Sequence, residues 1–306
     1  MAINWFPGHM HKARKEMAKV LPEIDVVLEV LDARIPFSSE NPMLGELAEH
    51  KPRLRVLTKA DLADEQTTQA WLHCLQQGTQ HDALAISIRQ TTTIKQIPAR
   101  LKALACDFGN QRIKPRVAMI VGIPNVGKST LINELAGRAI AKTGNEPAIT
   151  KRQQLIRLSD NWSLRDTPGV LWPKVDNIAS GYRLAASGAV RDTAMNSAEV
   201  AVTLLDYLIT AYPELLTERY GQHLPLQDSV ETLEAIGQTR GCIGAGALVD
   251  FERAGRLLLT EFRDGTLGRV TLETPQMREQ ELTETRNRLA LLAEKRAKRK
   301  AARRSR

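Results

Sequence analysis

The sequence predicts an α/β fold: a mainly parallel sheet flanked by helices, followed by a smaller helical domain and a basic tail. Three observations carry this. Between Val26 and Arg165, short apolar runs ending in polar or glycine-rich residues alternate with helix-like segments. One of those runs opens straight into a glycine-rich loop and then a helix. Beyond Pro173 the apolar residues recur at helical spacing instead.

The expected strands, in order, are Val26–Leu31, Leu54–Leu57, Leu84–Ile88, Val117–Val121, Leu155–Leu158 and Trp162–Leu164. Each is short, apolar and bounded by turn-forming residues, and ligands of open α/β sheets bind in the turns that follow such strands. Thr130–Ala136 reads as the helix after the glycine-rich loop. Farther on, Val200, Leu204, Tyr207, Leu208 and Ala211 fall on one helical face behind a cap expected at Ser197. Leu248, Phe251, Leu258 and Phe262 form another such face, stopped by Gly265. The division expected is an α/β domain over 1–175, a helical domain over 176–285 and a basic tail over 286–306.

The 306 residues are 42% hydrophobic and 25% charged, the balance of an ordinary globular protein, so fibrous and disordered classes are set aside. The longest apolar stretch, Val200–Tyr212, is interrupted by Asp206 and too short to span a bilayer, so no stable membrane association is expected. No leader pattern opens the chain, which predicts a cytoplasmic location. Cys74, Cys106 and Cys242 are odd in number and widely spaced, which argues against a disulfide framework or zinc site. Base exceeds acid by eight overall, yet residues 286–306 hold ten basic residues against one acid, so the rest of the chain is nearly neutral. A cationic appendage interleaved with alanine and lacking aromatics suits phosphate contact more than base stacking. A solvated tail without a partner and an anionic lipid surface are the other readings of such a run.

Gly122-Ile123-Pro124-Asn125-Val126-Gly127-Lys128-Ser129 satisfies G-x-x-x-x-G-K-[ST], between the strand Val117–Val121 and the helix opening at Thr130. Backbone amides of Asn125, Val126, Gly127 and Thr130 are expected to cradle phosphates, helped by the positive end of the helix. Lys128 is expected at the β- and γ-phosphates and the Ser129 hydroxyl on Mg2+. Asp166-Thr167-Pro168-Gly169 follows the last strand, where Asp166 can hold the metal through water and the Gly169 amide can sense the γ-phosphate. Thr150, with Thr143 as alternative, is the candidate for a second hydroxyl on the metal. Val170 and Leu171 stand where many such enzymes carry a water-positioning glutamine, so another group must orient the attacking water.

Thr58-Lys59-Ala60-Asp61 ends the strand Leu54–Leu57. A carboxylate at Asp61 can accept both the ring N–H and the exocyclic amine of guanine, a pair that adenine does not offer, while the Lys59 stem lies along the base. Threonine stands where this motif usually has asparagine, which predicts a looser tie between this loop and the phosphate loop. Ser87 is expected to supply the loop behind the base. These base-reading segments precede the phosphate loop, the reverse of the usual order. The same sheet results if the usual termini are joined and new ones opened elsewhere, a circular permutation.

With these motifs, Trp5-Phe6-Pro7-Gly8-His9-Met10, Asp32-Ala33-Arg34-Ile35-Pro36 and Phe262-Arg263…Leu267-Gly268-Arg269, the sequence resembles the YlqF/YawG family of circularly permuted GTPases over nearly its whole length. It departs in Thr58, in Ala148 and in a longer arginine-rich tail. The resemblance implies GTP hydrolysis to GDP and phosphate, binding to the immature large ribosomal subunit and its RNA, and release after hydrolysis. It points to His9 as the group that orients water, against a helix-capping or RNA-touching role. It also implies K+ at Asn125, against a side chain that merely steadies its loop. The alternative class is a nucleotide-gated RNA- or lipid-binding module in which hydrolysis is secondary.

Overall fold

The computed structural model describes residues 15–42, 47–78, 80–106, 115–141, 154–159, 161–167, 175, 177–190, 193 and 195–304, with the backbone alone beyond Lys295. His9, Thr143, Thr150 and Gly169 lie outside the described residues. A six-stranded sheet in the order β3-β2-β1-β4-β6-β5 forms the centre. Its strands are β1 Val26–Asp32, β2 Arg53–Thr58, β3 His81–Ala85, β4 Arg116–Gly122, β5 Gln154–Ser159 and β6 Trp162–Asp166. All neighbours pair in parallel except β5, which runs antiparallel to β6 at one edge. Every residue of β1 is buried, as a central parallel strand covered on both faces requires.

The third strand differs from the expected Leu84–Ile88. It is an edge strand, so the half-buried His81 and Asp82 are accommodated at its start, and the chain leaves the ladder after Ala85. Ile86 still donates to Leu57 O at 2.8 Å, but Ile88 is exposed because the backbone turns at Ser87, whose carbonyl accepts from Gln90 N.

From β1 the chain moves outward to β2 and β3, then returns to place β4 on the other side of β1. The switch point therefore falls between β1 and β4, where ligands of such sheets bind. Register aligns the carboxyl ends: Asp32 opposite Thr58, Val30 opposite Gly122, Ile120 opposite Asp166. On one face α1 (Glu65–Leu75), capped by the Asp64 carboxylate accepting from Thr67 N, packs Trp71 and Leu75 against Leu31 and Leu57. On the other, α2 (Ile97–Cys106) and α3 (Lys128–Ala136) bring Ile97, Leu101, Leu131 and Ile132 to Val30, Val56 and Ile120.

The helical part comprises α4 (Ile178–Ala186), α5 (Ser197–Ala211), α6 (Pro213–Tyr220), α7 (Ser229–Thr239) and α8 (Phe251–Asp264). Its Leu184, Leu204, Leu258 and Phe262 belong to the same apolar cluster as Val30 and Ile120, so the two halves share a core. The cap of α5 is Asn196, whose side chain accepts from Glu199 N at 2.9 Å, with the expected cap Ser197 buried as the first helical residue. Leu248 does not join the α8 face; it precedes the helix and is 72% exposed. A Cβ on Gly255 would stand 2.6 Å from Ser197 O, so only glycine lets α8 lie this close to the start of α5. The helix ends at Gly265 in the left-handed region, φ 84°, as expected.

The chain then crosses back to the sheet: Val270 N donates to Leu62 O and Leu272 N to Arg34 O, while Trp71 Nε1 donates to the Glu273 carbonyl. One long helix, α9 (Pro275–Arg304), follows and runs through position 285 without a break. Its first turns are held by Glu281, which pairs with Arg183 at 2.7 Å, whereas Leu289, Leu291 and Leu292 are exposed. Among the described residues no single helix is long and apolar enough to cross a membrane.

Candidate functional site

The phosphate loop leaves β4 at Gly122, where a Cβ would lie 2.8 Å from Val30 O and 2.9 Å from a Val126 methyl. The loop can fold back over β1 only because that atom is missing. Asn125 (φ 57°) and Gly127 (φ 93°) both take left-handed backbone, curling the chain into α3. Such a curl turns successive amides to one side and delivers the positive end of α3 to the same point. Ser129 and Thr130 sit half-buried in the first turn of that helix.

Lys128 is buried and paired with the equally buried Asp166 at the end of β6. Burial pushes the Lys128 ammonium below its ordinary value and the Asp166 carboxyl above its own, each offset only in part by the other's charge. Thr167 fastens this corner by donating to Ile120 O at 2.8 Å. Ser129 and Asp166 give one hydroxyl and one carboxylate beside the loop, a donor set that fits Mg2+ completed by phosphate oxygens and water. Among the described residues no group of three or more His, Cys, Asp or Glu is placed to hold a metal by itself.

On the base side, Thr58 is buried, with its hydroxyl 2.5 Å from Val126 O and 2.9 Å from Leu31 O. The two loops are tied all the same: the threonine hydroxyl, at the end of β2, reaches the phosphate loop at the Val126 carbonyl. Lys59 adopts φ 57° and its ammonium donates to Asp32 Oδ2 at 2.8 Å. Asp61 is partly exposed at the rim, 3.6 Å from Arg89 Nε. Ser87 is buried, its hydroxyl accepting from Arg89 N, and Ala60 N donates to Ile86 O, so the loops at 58–61 and 86–87 are hydrogen-bonded to each other.

Four residues assigned no role from the sequence complete the surroundings. Asp32, the last residue of β1, and Arg34, just past it, form a buried pair. Gly188 O accepts from Asn125 Nδ2 at 2.8 Å, and Arg263 donates to the carbonyls of Ala185 and Ala186. The linear signals were the Asp32-Ala33-Arg34 and Phe262-Arg263 segments, which carried the family resemblance without an assigned role.

Comparison with known proteins agrees with this geometry. Residues 117–235 match the family described as 50S ribosome-binding GTPase, and residues 43–175 the RsgA GTPase family. The chain is 46% identical to ribosome biogenesis GTPase A of Bacillus cereus, over 90% of this chain and 95% of that one. It is 46% identical to the protein of the same name from Priestia megaterium, over 92% of this chain and all of the other. Mouse mitochondrial ribosome-associated GTPase 1 is 35% identical over 88% and 90% of the two chains. Among solved structures, GNP-bound YlqF from T. maritima superposes with a TM-score of 0.61 at 25% identity, covering 86% of this chain and 98% of that one.

Proposed function

The chain belongs to the ribosome biogenesis GTPase A family and is thus a GTPase acting in ribosome assembly; from this we propose that it binds the immature large subunit and its RNA in the GTP state and leaves after hydrolysis. The observation that carries the reading is convergence: Thr58–Asp61, the loop 122–129 and Asp166 meet at one carboxyl edge of one sheet, beside the β1/β4 switch point. In this reading Asp61 reads guanine against the loop at Ser87, and the amides of Asn125 to Thr130 hold phosphates. Lys128 turns from Asp166 to the β- and γ-phosphates. Ser129 and Asp166 hold Mg2+, which supplies charge neutralisation on the phosphates. Loss of the terminal phosphate to water gives GDP and inorganic phosphate.

We further assign Thr150 to the metal, Gly169 to the γ-phosphate and His9 to the attacking water. His9→Ala is expected to slow turnover with little loss of GTP binding. Asn125 is the candidate that would hold K+, and its Nδ2 donates to the Gly188 carbonyl. The helical domain and the basic end of α9 supply the RNA-facing side, the helical domain opening near 175 where helical spacing begins and the cationic stretch starting within α9 near 286.

Co-sedimentation of the purified chain with ribosomal subunits tests the reading. Pelleting with immature large subunits in a non-hydrolysable GTP analogue, and release in GDP, is the expected result; nucleotide-independent pelleting, or equal pelleting with small subunits, sinks it.

A further inference from the structure

The Asp32-Ala33-Arg34 segment is more strongly tied than a strand end requires. Asp32 Oδ1 accepts from the Arg34 amide at 3.1 Å and its Nε at 2.9 Å; Oδ2 accepts from Arg34 Nη2 and Lys59 Nζ, both at 2.8 Å. Arg34 is 1% exposed, so its guanidinium is satisfied inside the protein or not at all. Nη1 reaches the carbonyls of Phe262 and Arg263, at 3.3 and 3.2 Å, in the last turn of α8, and the guanidinium stacks on the Phe262 ring at 5.0 Å. Cations at a helix carboxyl end are favoured by its dipole, and only a planar fork can serve carboxylate and carbonyls together.

These contacts belong to a closed circuit. Arg263 carries it from α8 to the carbonyls ending α4, and Gly188, just beyond, accepts from Asn125 in the phosphate loop. Thr58 closes it by reaching Val126 from the base-reading loop. Burial alone would raise the Asp32 pKa, yet Arg34 and Lys59 outweigh it and hold the carboxyl well below its ordinary value, so the joint stays charged at neutral pH. Lys59 needs such a partner: it sits in left-handed backbone, which L-residues other than asparagine and aspartate seldom adopt.

We infer that Asp32 and Arg34 are positioning residues for guanine recognition, acting through Lys59, and that the same guanidinium locks the base-reading loop to the end of α8, so that guanine occupancy and docking of the helical domain strengthen each other. This rests on the reading of 58–61 as the guanine loop. Coupling of this kind is reciprocal: what the base gains from a docked α8, α8 gains from the base.

The test measures GDP affinity of the full chain together with hydrogen exchange of amides 258–267, with and without saturating GDP. In the parent chain GDP is expected to slow exchange there, and no slowing would overturn the coupling. Arg34→Gln is expected to weaken GDP binding about tenfold and to abolish the GDP-dependent slowing. Arg34→Lys keeps a cation beside Asp32 but no fork, so it regains several-fold of the affinity while the slowing stays lost. If Arg34→Gln does not fold, loss of the slowing in Arg34→Lys carries the test. A third variant, Asp61→Asn, gains affinity for xanthosine diphosphate if Asp61 reads guanine. Absence of that gain removes the guanine reading and the inference with it. That gain, with unchanged affinity or undiminished slowing in the Arg34 variants, overturns the inference alone.

Discussion

The side-chain amide of Asn125, midway along the phosphate loop, donates to the carbonyl of Gly188 at 2.8 Å, across 63 residues of sequence. A loop that elsewhere needs only its own strand and helix is thereby attached to the helical half. Gly188 has φ 82°, left-handed backbone that favours glycine, and a Cβ there would come into ordinary contact with Arg263 Nε at 3.4 Å.

Asn125→Gly separates attachment from backbone shape, since glycine accepts φ 57° without strain. Loss of one hydrogen bond to a partly buried carbonyl is expected to cost about 1 kcal/mol, with a few tenths more from glycine's freedom, measured as a shift in urea midpoint. If Asn125 also holds K+, the variant turns over GTP equally in potassium and sodium chloride at matched ionic strength. Potassium stimulation that survives the exchange removes Asn125 from the ion.

Thr58→Val is nearly isosteric and deletes one hydroxyl from between two buried carbonyls, Val126 O and Leu31 O. We expect a stability loss of roughly 1–3 kcal/mol by chemical denaturation, together with weaker GDP binding because the two nucleotide loops are no longer tied. A variant destabilised but binding GDP as the parent does would confine Thr58 to the fold.

Much of this arrangement was legible in the sequence because it is written in short-range pattern. Strands β1, β2, β4, β5 and β6 announce themselves as apolar runs, and Gly122–Ser129 fixes its loop by spacing alone. Errors of a few residues arose where local cues compete. At β3 an edge position admits His81 and Asp82 while the chain turns away at Ser87 and leaves Ile88 exposed, and at α5 Asn196 outranks the adjacent Ser197 as a cap. Arg34 was of another kind. Its partners at Phe262 and Arg263 are carbonyls 228 and 229 residues away, and nothing in side-chain periodicity specifies which backbone oxygens a guanidinium will meet.

Acid stability should report Asp32. Its carboxyl is held well below the ordinary 3.8 by Arg34 and Lys59, against the upward push of burial. The unfolded chain therefore binds more protons than the native one between the depressed value and 3.8, and stability rises with pH across that window. It is fully present above the unfolded value and lost as pH falls through the folded one. Asp32→Asn is expected to remove this component, flattening urea midpoints below about pH 4, while costing about 3 kcal/mol at pH 7 because the buried Arg34 and half-buried Lys59 lose their shared anion. An unchanged acid limb in the variant would assign the pH dependence elsewhere.

Removing residues 286–306 tests how the chain meets RNA. Pairs that anchor α9 lie earlier, at Arg278 with Glu40 and Glu281 with Arg183 and Asn177, and residues such as Leu289 and Leu291 are exposed. The truncated chain should therefore keep its stability within about 0.5 kcal/mol and its intrinsic GTP turnover unchanged. Ten basic residues leave with the segment. Each one that neutralises a duplex phosphate contributes about 0.9 to the slope of log affinity against log salt, so ribosomal RNA binding should weaken and its salt dependence flatten. A salt slope equal to that of the full chain would place the RNA contacts on the helical domain, and a defect confined to anionic vesicles would make the tail a lipid-binding element.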